Sequence, residues 1–296
     1  MIKVALLDLD ITVYHVGMSC KNETDWEAVK YTVDMSVNSW ITAAGCNRFL
    51  GFITDSPTNF RNTTAVTWPY KGHRKEAEKP NWYTEIREYL VDNWNTQLIV
   101  GMEADDALAI AQVELNAQGI YTVLVTEDKD LRQVPGLHMT PRRMGVIDTI
   151  TEAEGHYNLW KQVLTGDKTD NIPGLSEAAY ATTTGSHNRW VAEQPITKEE
   201  KQKLRKTYAS MDLWGPAAAC RLLDSSLDYP SDVLTAYIDA YEDMHDEGSW
   251  GLGELRFYEV FDLVFMLREC PEHIGMHLNY SEPAIDPEIT ESFVDF

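Results

Sequence analysis

The stretch KVALLDLD, residues 3–10, begins with a continuous apolar run and ends in two aspartates. An apolar run without alternation is typical of a strand that is buried on both faces, as in a parallel sheet. RFLGFITD at 48–55 and IYTVLVTEDKD at 120–130 have the same character, and QLIV at 97–100 predicts a shorter strand. LHMT and GVIDTI, within 137–150, predict a weaker pair of strands.

Helical patterns separate these strands. In residues 24–45 the apolar residues share one face, Thr24 and Glu27 predict a capping box at the start, and Gly45 predicts the end. Alternating strands and helices predict an α/β fold with a mostly parallel central sheet flanked by helices. Further helices are expected near 82–94, at 101–119 and after a capping box formed by Thr151 and Glu154.

Beyond about residue 175 the pattern becomes helical throughout. We therefore expect two domains, an α/β domain at 1–174 and a helical C-terminal region at 175–296. The closing residues from 279 onwards contain two prolines and little periodicity, which predicts a loose or extended tail.

Composition excludes several classes of protein. No apolar run approaches the roughly 20 residues of a membrane-spanning helix, and acidic residues occur too early for a signal peptide. The four cysteines are far apart and lack CxxC spacing, so neither a zinc site nor a disulfide framework is expected. We expect a cytoplasmic protein with reduced, buried cysteines and no membrane partner.

The formal net charge of −22 is unevenly distributed. From Asp224 to the C-terminus there are 18 acidic and two basic residues, which accounts for −16 of that charge. Two stretches are locally basic, FRNTTAVTWPYKGHRKEAEK at 60–79 and KEEKQKLRK at 198–206. A solvated face explains the second equally well. The first mixes cations with aromatic rings, which favours a single strand of nucleic acid as partner.

Nine carboxylates are expected at one edge of the sheet, because the carboxyl ends of parallel strands meet there and bind ligands in α/β proteins. Unneutralised, they would repel one another, and oxygen ligands suit hard divalent cations such as Mg²⁺. Two such ions support phosphoryl chemistry, so we expect a phosphate-ester substrate. The nine residues are Asp8, Asp55, Glu103, Asp105, Asp106, Asp128, Asp130, Asp167 and Asp170.

Each group of acids also has a local explanation. The three acids of GMEADDALA stand in the first turn of a predicted helix, where they complement N–H groups and the helix dipole. Asp55 also fits a turn with the following Ser and Pro, and Asp128 and Asp130 fit a cap of the next helix. The aspartates of GDKTD fit a loop that bonds its own backbone. Their joint occurrence at strand ends favours the metal site.

The motifs together resemble the 5′-nuclease superfamily of flap endonucleases and 5′→3′ exonucleases, especially the stand-alone enzymes of bacteriophages. The resemblance runs from Asp8 to about Gly174 and is carried by LLDLD, FITDSPTNFR, YKGHR, MEADDALA, VTEDKD and LTGDKTDNIPG. The order EADD, DKD and GDxxDNIPG at these separations is specific. The implied fold is the PIN-like core of these nucleases.

The resemblance also implies roles for individual residues. Asp8, Asp55, Glu103 and Asp105 would bind the first metal, and the other five acids would bind the second or support its ligands. Lys71 and Arg74 would contact the scissile phosphate from the base of a helical arch at about 56–95, and would be the catalytic cations. Further DNA contacts are expected at Arg61, Lys75, Trp68, Tyr70, Trp82 and Tyr83.

The implied activity is two-metal hydrolysis with Mg²⁺, for which Mn²⁺ would substitute. The implied substrates are 5′ single-stranded DNA ends or flaps joined to duplex, together with RNA/DNA hybrids at primers, during phage DNA replication in the host cytoplasm. The acidic C-terminal region would then dock a replication protein.

The chain departs from the family after DNIPG. The usual Gly-rich turn is missing there, and the most similar turn, LWGPAAACRLL, lies about forty residues later by direct count. We therefore predict an insertion at 175–212, with Gly174 and Gly215 close in space as parts of the duplex-binding element. The departure weakens the expectation of a K⁺ ion there, and the basic run at 198–206 would share the duplex contacts.

Two other function classes compete with the nuclease. DLDIT matches the haloacid-dehalogenase phosphatase signature, with Asp8 as nucleophile and Asp10 as acid and base, but that interpretation leaves EADD, DKD and YKGHR unexplained. A non-catalytic acidic DNA mimic or calcium-binding interaction module would explain the charge. No EF-hand loop supports the calcium alternative.

Overall fold

The computed structural model describes residues 1–72, 79–175, 197–199, 216–242, 251–272 and 274–283. The chain divides into two compact units. The first comprises Met1–Phe60, Glu76–Gly155 and Met266–Phe296, and the second Arg61–Lys75 and His156–Phe265.

This division differs from the expected boundary after residue 174. The reason lies in the helix Glu152–Thr165, which crosses the boundary between the units. The apolar residues of its second half pack in the core of the second unit and not in the two cores beside the sheet. These residues are Leu159, Trp160, Val163 and Leu164.

The first unit contains a six-stranded sheet in the order β3-β2-β1-β4-β5-β6. Strands β1 to β5 run parallel to one another, and only β6 is antiparallel, to β5. The predicted, mostly parallel sheet is therefore confirmed. The strands are β1 Lys3–Asp8, β2 Arg48–Thr54, β3 Gln97–Ile99, β4 Tyr121–Val125, β5 Gly136–Met139 and β6 Ile147–Ile150.

Nine α-helices lie within the parts of the chain that the structure describes. Helix α1 follows β1 without a loop and has no counterpart among the predicted helices, whereas α4 and α5 match the predicted ones. The helices are α1 Leu9–Ser19, α2 Trp26–Ala43, α3 Arg61–Thr64, α4 Tyr83–Asn93, α5 Ala104–Ala117, α6 Glu152–Thr165, α7 Pro216–Ser225, α8 Tyr229–Glu242 and α9 Leu252–Val264.

Successive residues of β1 enter two different cores, as the pleat of a strand requires. Leu7 joins a core with residues of α1, α2 and α4, and Leu6 joins a core with residues of α5. Both side chains are fully buried, and burying a leucine contributes about 1.5–3 kcal/mol. The continuous apolar run in the sequence therefore reflects a sheet covered on both faces.

The start of α2 differs from the prediction. The N-cap is Asp25, whose carboxylate accepts a hydrogen bond from the backbone N–H of Glu27, so the predicted Thr24–Glu27 capping box is wrong. The Thr151–Glu154 capping box is confirmed, since each side chain accepts from the backbone N–H of the other residue.

The strand order reverses between β1 and β4, because the chain proceeds from β1 to β2 and β3 on one side and returns to add β4 on the other. Such a reversal opens a crevice at the carboxyl ends of the two strands, which is where doubly wound proteins bind ligands. Asp8 ends β1 at this point, and Thr126 to Asp130 follow β4.

The second unit has a helical core. Residues of α6 to α9 bury their apolar faces together with Tyr70. The hydroxyl of Tyr237 donates to the carbonyl of Val163, which joins α8 to α6. A two-stranded ribbon, β7 Gly166–Asp167 with β8 Ile172–Pro173, carries the sequence GDKTDNIP.

The segment near residue 281 pairs with the sheet, which agrees with the extended alternative for the part of the predicted tail that the structure describes. Ser281 forms an antiparallel bridge with Phe49, and Glu282 forms an ion pair with Arg48 at 2.6 Å. Residues 284–296, the insertion at 175–212 beyond Leu175 except 197–199, and most of the run at 198–206 lie outside the described residues.

None of the described helices combines the length and apolar content needed to cross a bilayer. The four cysteines are free, as expected, but each is half-buried where full burial was predicted.

Replacing Gly166 should destabilise the second unit. Its φ is +65°, and a Cβ atom would lie 2.1 Å from the backbone nitrogen of Gly174. We expect Gly166→Ala to lower the free energy of unfolding by about 2–4 kcal/mol, because backbone conformation and space both exclude the methyl group. Chemical denaturation measures the change.

Gly251→Ala is the matched control in the same unit. Gly251 has φ +83°, and no heavy atom of the described residues lies within 4 Å of the added Cβ, so it isolates the cost of the conformation, about 1 kcal/mol. Equal losses in the two variants would contradict the close approach of Gly166 to Gly174.

Candidate functional site

The first unit brings seven of the nine predicted carboxylates to the ends of its strands or the start of α5. Asp8 closes β1, Asp55 follows β2, and Asp128 and Asp130 follow β4. Glu103, Asp105 and Asp106 begin α5. Asp167 and Asp170 belong to the second unit, and their participation in the same site stays a prediction.

Asp8 is the most perturbed acid of this group. Its side chain is buried, with 5% of the residue exposed, and Thr126 donates its hydroxyl hydrogen to Oδ2 at 2.9 Å. Burial, followed by the negative charges of Asp10 and Asp128, raises the pKa of Asp8 to about 8. The fold therefore holds a carboxyl group where ionisation is costly unless a cation lies nearby.

Asp10 adds a further charge that was not among the predicted ligands. Its Oδ1 accepts from Arg87 at 2.9 Å, and its Oδ2 accepts from the backbone N–H of Thr54 at 3.0 Å. Burial raises the pKa of Asp10 and Glu103 adds to the rise, while the bonds from Thr54 and Arg87 oppose it. Asp8, Asp10, Asp128 and Glu103 thus form one chain of mutually repelling groups.

The acidic first turn of α5 performs part of the local role described above. Glu103 and Asp106 form a capping box, in which Asp106 Oδ2 accepts from the N–H of Glu103 at 3.2 Å. The other oxygen of Asp106 accepts from the N–H of Leu267 at 3.1 Å. Asp106 is fully buried with each oxygen bonded to backbone, so it supports the turn, while its predicted place beside the second metal stays a prediction.

The acids after β2 and β4 are also bonded locally. Asp128 Oδ1 accepts from the N–H of Asp130 at 2.8 Å. This bond agrees with the alternative explanation that Asp128 caps the turn that follows β4. Asp130 is buried, and Lys129 Nζ lies 2.6 Å from its Oδ1. Asp55 precedes a 3-10 turn at Ser56–Thr58 and is half-buried.

The acids have the donor atoms that a divalent cation prefers, but within the part of the chain that the structure describes they are not arranged as a preformed coordination site. The donors are carboxylate oxygens, as Mg²⁺ and Mn²⁺ prefer. Among the described residues, no group of three or more Asp, Glu, His or Cys side chains is arranged to hold a metal ion. Several of the acids accept hydrogen bonds from the protein, but a carboxylate has about four lone-pair sites, so these bonds do not by themselves prevent the acids from binding an ion.

The second unit pairs one predicted acid with a predicted catalytic cation. Asp170 Oδ2 accepts from the hydroxyl of Tyr70 at 2.9 Å and lies 3.6 Å from Lys71 Nζ. Asp167 is buried, and its Oδ1 accepts from the N–H of Thr169 at 2.6 Å, as in a loop that bonds its own backbone.

Arg61 is not a DNA contact in this structure, and that prediction is wrong. The residue is fully buried. Its guanidinium donates to the carbonyls of Leu263 and Phe265, each at 2.8 Å. A buried guanidinium with backbone partners cannot reach a phosphate, so Arg61 holds α3 against the end of α9.

The predicted stacking residues differ in their availability. Tyr70 is buried in the core of the second unit, so its predicted base contact is wrong. Trp82 stacks on Trp26 with ring centroids 5.6 Å apart. Trp68 and Tyr83 are half-buried and stay predicted contacts, with Lys79 4.3 Å above the Tyr83 ring.

The remaining predicted contacts divide in the same way. Gly174 is buried against the backbone of Thr165 and Gly166. A side chain would not fit there, so this packing alone explains why the residue is a glycine, and no DNA contact is needed to explain it. Arg74, Lys75 and Gly215 lie outside the described residues.

Sequence reasoning missed Arg87 and Thr126 as neighbours of the acids. Thr126 stands inside the quoted motif VTEDKD, directly after β4, so its position was a usable signal. Arg87 had no such signal, because its partner Asp10 is 77 residues away in sequence.

A pocket of about 340 Å³ lies beside α4 and the edge of the sheet. Arg87, Tyr83 and Leu98 are among its lining residues, but none of the nine predicted acids is. Its position therefore does not coincide with the acidic group.

No family model matches the chain. It is 35% identical over 85 residues to DNA polymerase I of Rhizobium leguminosarum, a match that covers 25% of this chain and only 8% of that protein.

Several solved structures are similar to the chain. The D15 protein of bacteriophage T5, co-crystallised with metal ions, is 15% identical with a TM-score of 0.45, over 88% of this chain and 99% of that one. A bacteriophage T5 D15 flap endonuclease variant with DNA and metal ions has 15% identity and a TM-score of 0.44, over 88% and 99%. The catalytic core of Rad2 with DNA substrate has 10% identity and a TM-score of 0.42, over 98% and 85%.

Replacing Arg61 should affect stability and not DNA affinity. We expect Arg61→Met to lower the free energy of unfolding by about 2–4 kcal/mol, because the carbonyls of Leu263 and Phe265 lose buried donors. Arg221→Met, at an exposed position of α7, is the control and should change stability little. Weaker DNA binding by Arg61→Met with unchanged stability would restore the phosphate role.

Asp8 should make stability depend on pH when a chelator is present. Its pKa is raised from 3.8 to about 8, so between these values the folded protein keeps a proton that the unfolded chain releases. The free energy of unfolding should therefore fall as pH rises from 5 to 8, by at most about 1.4 kcal/mol per pH unit from this group.

Urea denaturation in EDTA at several pH values checks this dependence. Asp8→Asn should flatten it and should be more stable than the wild type at pH 8. If the free energy of unfolding of Asp8→Asn depends on pH as steeply as that of the wild type, Asp8 has an ordinary pKa in the folded protein.

Proposed function

We propose that this chain is a divalent-metal-dependent nuclease of the 5′-nuclease type, which hydrolyses DNA phosphodiesters at 5′ ends or at 5′ flaps joined to duplex. The observation that carries the proposal is the group of repelling acids around buried Asp8 at the reversal of the strand order. The motif order EADD, DKD and GDxxDNIPG supports the 5′-nuclease type. The segment similar to DNA polymerase I supports DNA as substrate.

The proposed ligands follow the resemblance, apart from Asp106, which has a supporting role. Bound Mg²⁺ or Mn²⁺ would activate water and brace the reacting oxygens. This chain's carboxylates would supply the negative charge that holds two such ions and would orient them toward one phosphodiester. Asp8, Asp55, Glu103 and Asp105 would hold the first ion, and Asp128, Asp130, Asp167 and Asp170 the second.

Lys71 is proposed to bind the scissile phosphate. Its ammonium is half-buried and lies 3.6 Å from Asp170, so it is held beside a proposed ligand. A preorganised cation stabilises the negative charge that develops on a phosphoryl group. Arg74 and Lys75 would extend this role along the arch.

The finer parts of the proposal rest on the motif resemblance. They are the choice of Mg²⁺, action on RNA/DNA hybrids at primers, a role in phage DNA replication, and docking of a replication protein on the acidic C-terminal region. The net charge of −16 from Asp224 onwards supports a basic partner surface.

The phosphatase alternative is less well supported. It requires Asp10 to exchange a proton with the substrate, yet both oxygens of Asp10 accept hydrogen bonds, from Arg87 and from Thr54. The guanidinium favours the carboxylate form, but burial raises the pKa of Asp10 on balance, so Asp10 does not decide between the two functions. The phosphatase is less well supported because it leaves the motifs EADD, DKD and YKGHR unexplained.

Cleavage of a 5′-labelled flap on nicked duplex tests the proposal. We expect products with Mg²⁺ and none with EDTA. Asp128→Asn combined with Asp130→Asn should abolish cutting while DNA binding stays measurable, because the proposed second ion loses its ligands but the contacts to DNA remain.

Asp148→Asn is the matched control. Asp148 lies on β6 of the same unit, and its carboxylate faces Arg132 and Arg143. It should cut at the wild-type rate. Full activity in the Asp128 and Asp130 double variant would rule out the metal assignment. Hydrolysis of p-nitrophenyl phosphate without cleavage of DNA would establish the phosphatase instead.

A further inference from the structure

A network of four hydrogen bonds joins α4 to the start of α1, the end of β2 and the start of α5, all in the first unit. Arg87, on α4, donates from one nitrogen to Asp10 Oδ1 at 2.9 Å and from another to the carbonyl of Thr54 at 2.7 Å. The N–H of Thr54 donates to Asp10 Oδ2 at 3.0 Å. The hydroxyl of Thr54 accepts from the N–H of Ala104 at 2.9 Å.

Each of these contacts lies beside a proposed ligand of the first metal. Asp10 is two residues after Asp8, and Thr54 immediately precedes Asp55. Ala104 stands between Glu103 and Asp105. The network therefore ties together the three backbone segments that carry all four proposed first-metal ligands, although it contains none of them.

Attachment of α4 alone does not account for this network. Ile86 and Leu90 of the same helix are fully buried in the core. Asp34 of α2 also holds the end of the helix, where it accepts from the hydroxyl of Tyr89 at 2.9 Å and from the indole N–H of Trp94 at 2.8 Å.

An ion pair is also a costly way to fasten a helix. The Arg87 and Asp10 side chains are 18% and 30% exposed, so both lose much of their hydration. Apolar side chains of similar volume often stabilise a fold as well as such a pair. The guanidinium has a different advantage, because its planar fork fixes two acceptors in one orientation.

We propose that Asp10 and Arg87 are positioning residues, which hold the ends of β1 and β2 and the start of α5 at the separation that metal binding by Asp8, Asp55 and Glu103 requires. The inference rests on the proposed function. Bonded partners that orient metal ligands typically change metal affinity by about 10- to 100-fold when they are removed. Asp10 is assigned no contact with metal or substrate.

The test compares Asp10→Asn and Arg87→Gln with the wild type. Mn²⁺ binding is measured by calorimetry without DNA, and flap cleavage is measured as a function of Mg²⁺ concentration. Both variants should bind Mn²⁺ about 10- to 100-fold more weakly and should need correspondingly more Mg²⁺ for half-maximal rate. The KM for DNA should stay within about twofold, and saturating Mg²⁺ should restore most of the rate, because the ligands themselves remain.

Asp34→Asn is the matched control, because it removes the other carboxylate that holds α4. It should lower the melting temperature without changing the Mn²⁺ affinity. Arg87→Gln keeps the proposal testable if Asp10→Asn does not fold. Unchanged Mn²⁺ affinity in folded Asp10→Asn or Arg87→Gln would overturn the positioning role, and so would an equal loss in Asp34→Asn.

This outcome is distinct from failure of the proposed function. A wild-type protein that binds Mn²⁺ but cuts no DNA would refute the nuclease and leave the effect of Asp10 on metal binding measurable. A wild-type protein that binds no Mn²⁺ would refute both.

Discussion

Electrostatic repulsion at the carboxyl ends of β1 and β4 is the constraint on which the site depends. Asp8 is buried there beside Asp10 and Asp128, and its pKa is raised accordingly. Placing a carboxylate out of water beside other negative charges costs free energy, so ionisation of Asp8 at this position reduces stability. A bound cation would offset that cost. Such an arrangement is typical of a functional site.

The acids of the first unit differ in how they are satisfied. Asp106 is bonded to backbone through both oxygens, and Asp128 caps a turn, so the fold neutralises part of the acidic character locally. Asp10 is held by Arg87 and Thr54, and Asp8 accepts from the hydroxyl of Thr126. These bonds do not offset the burial of Asp8, whose pKa stays raised to about 8, so a bound cation would stabilise its ionised form.

Much of the first unit could be predicted from local sequence, because a two-faced parallel sheet imposes continuous apolar runs such as KVALLDLD. The strand ends, the acids beside them and the Thr151–Glu154 capping box followed from patterns within a few residues. Other features depend on residues far away along the chain. Arg61 lies in a basic stretch, but its partners, Leu263 and Phe265, are about 200 positions later. Tyr70 likewise has an aromatic sequence context that suggests stacking, while burial among distant helices decides its role.

Electron paramagnetic resonance of Mn²⁺ titrated into the full chain at pH 8 measures whether these acids bind divalent cations. We expect tightly bound Mn²⁺ that is lost in Asp8→Asn and retained in Asp148→Asn, since only the first substitution removes a member of the repelling group. Mn²⁺ that stays free throughout the titration, or that binds equally well to Asp8→Asn, would show that the acids are not a metal site.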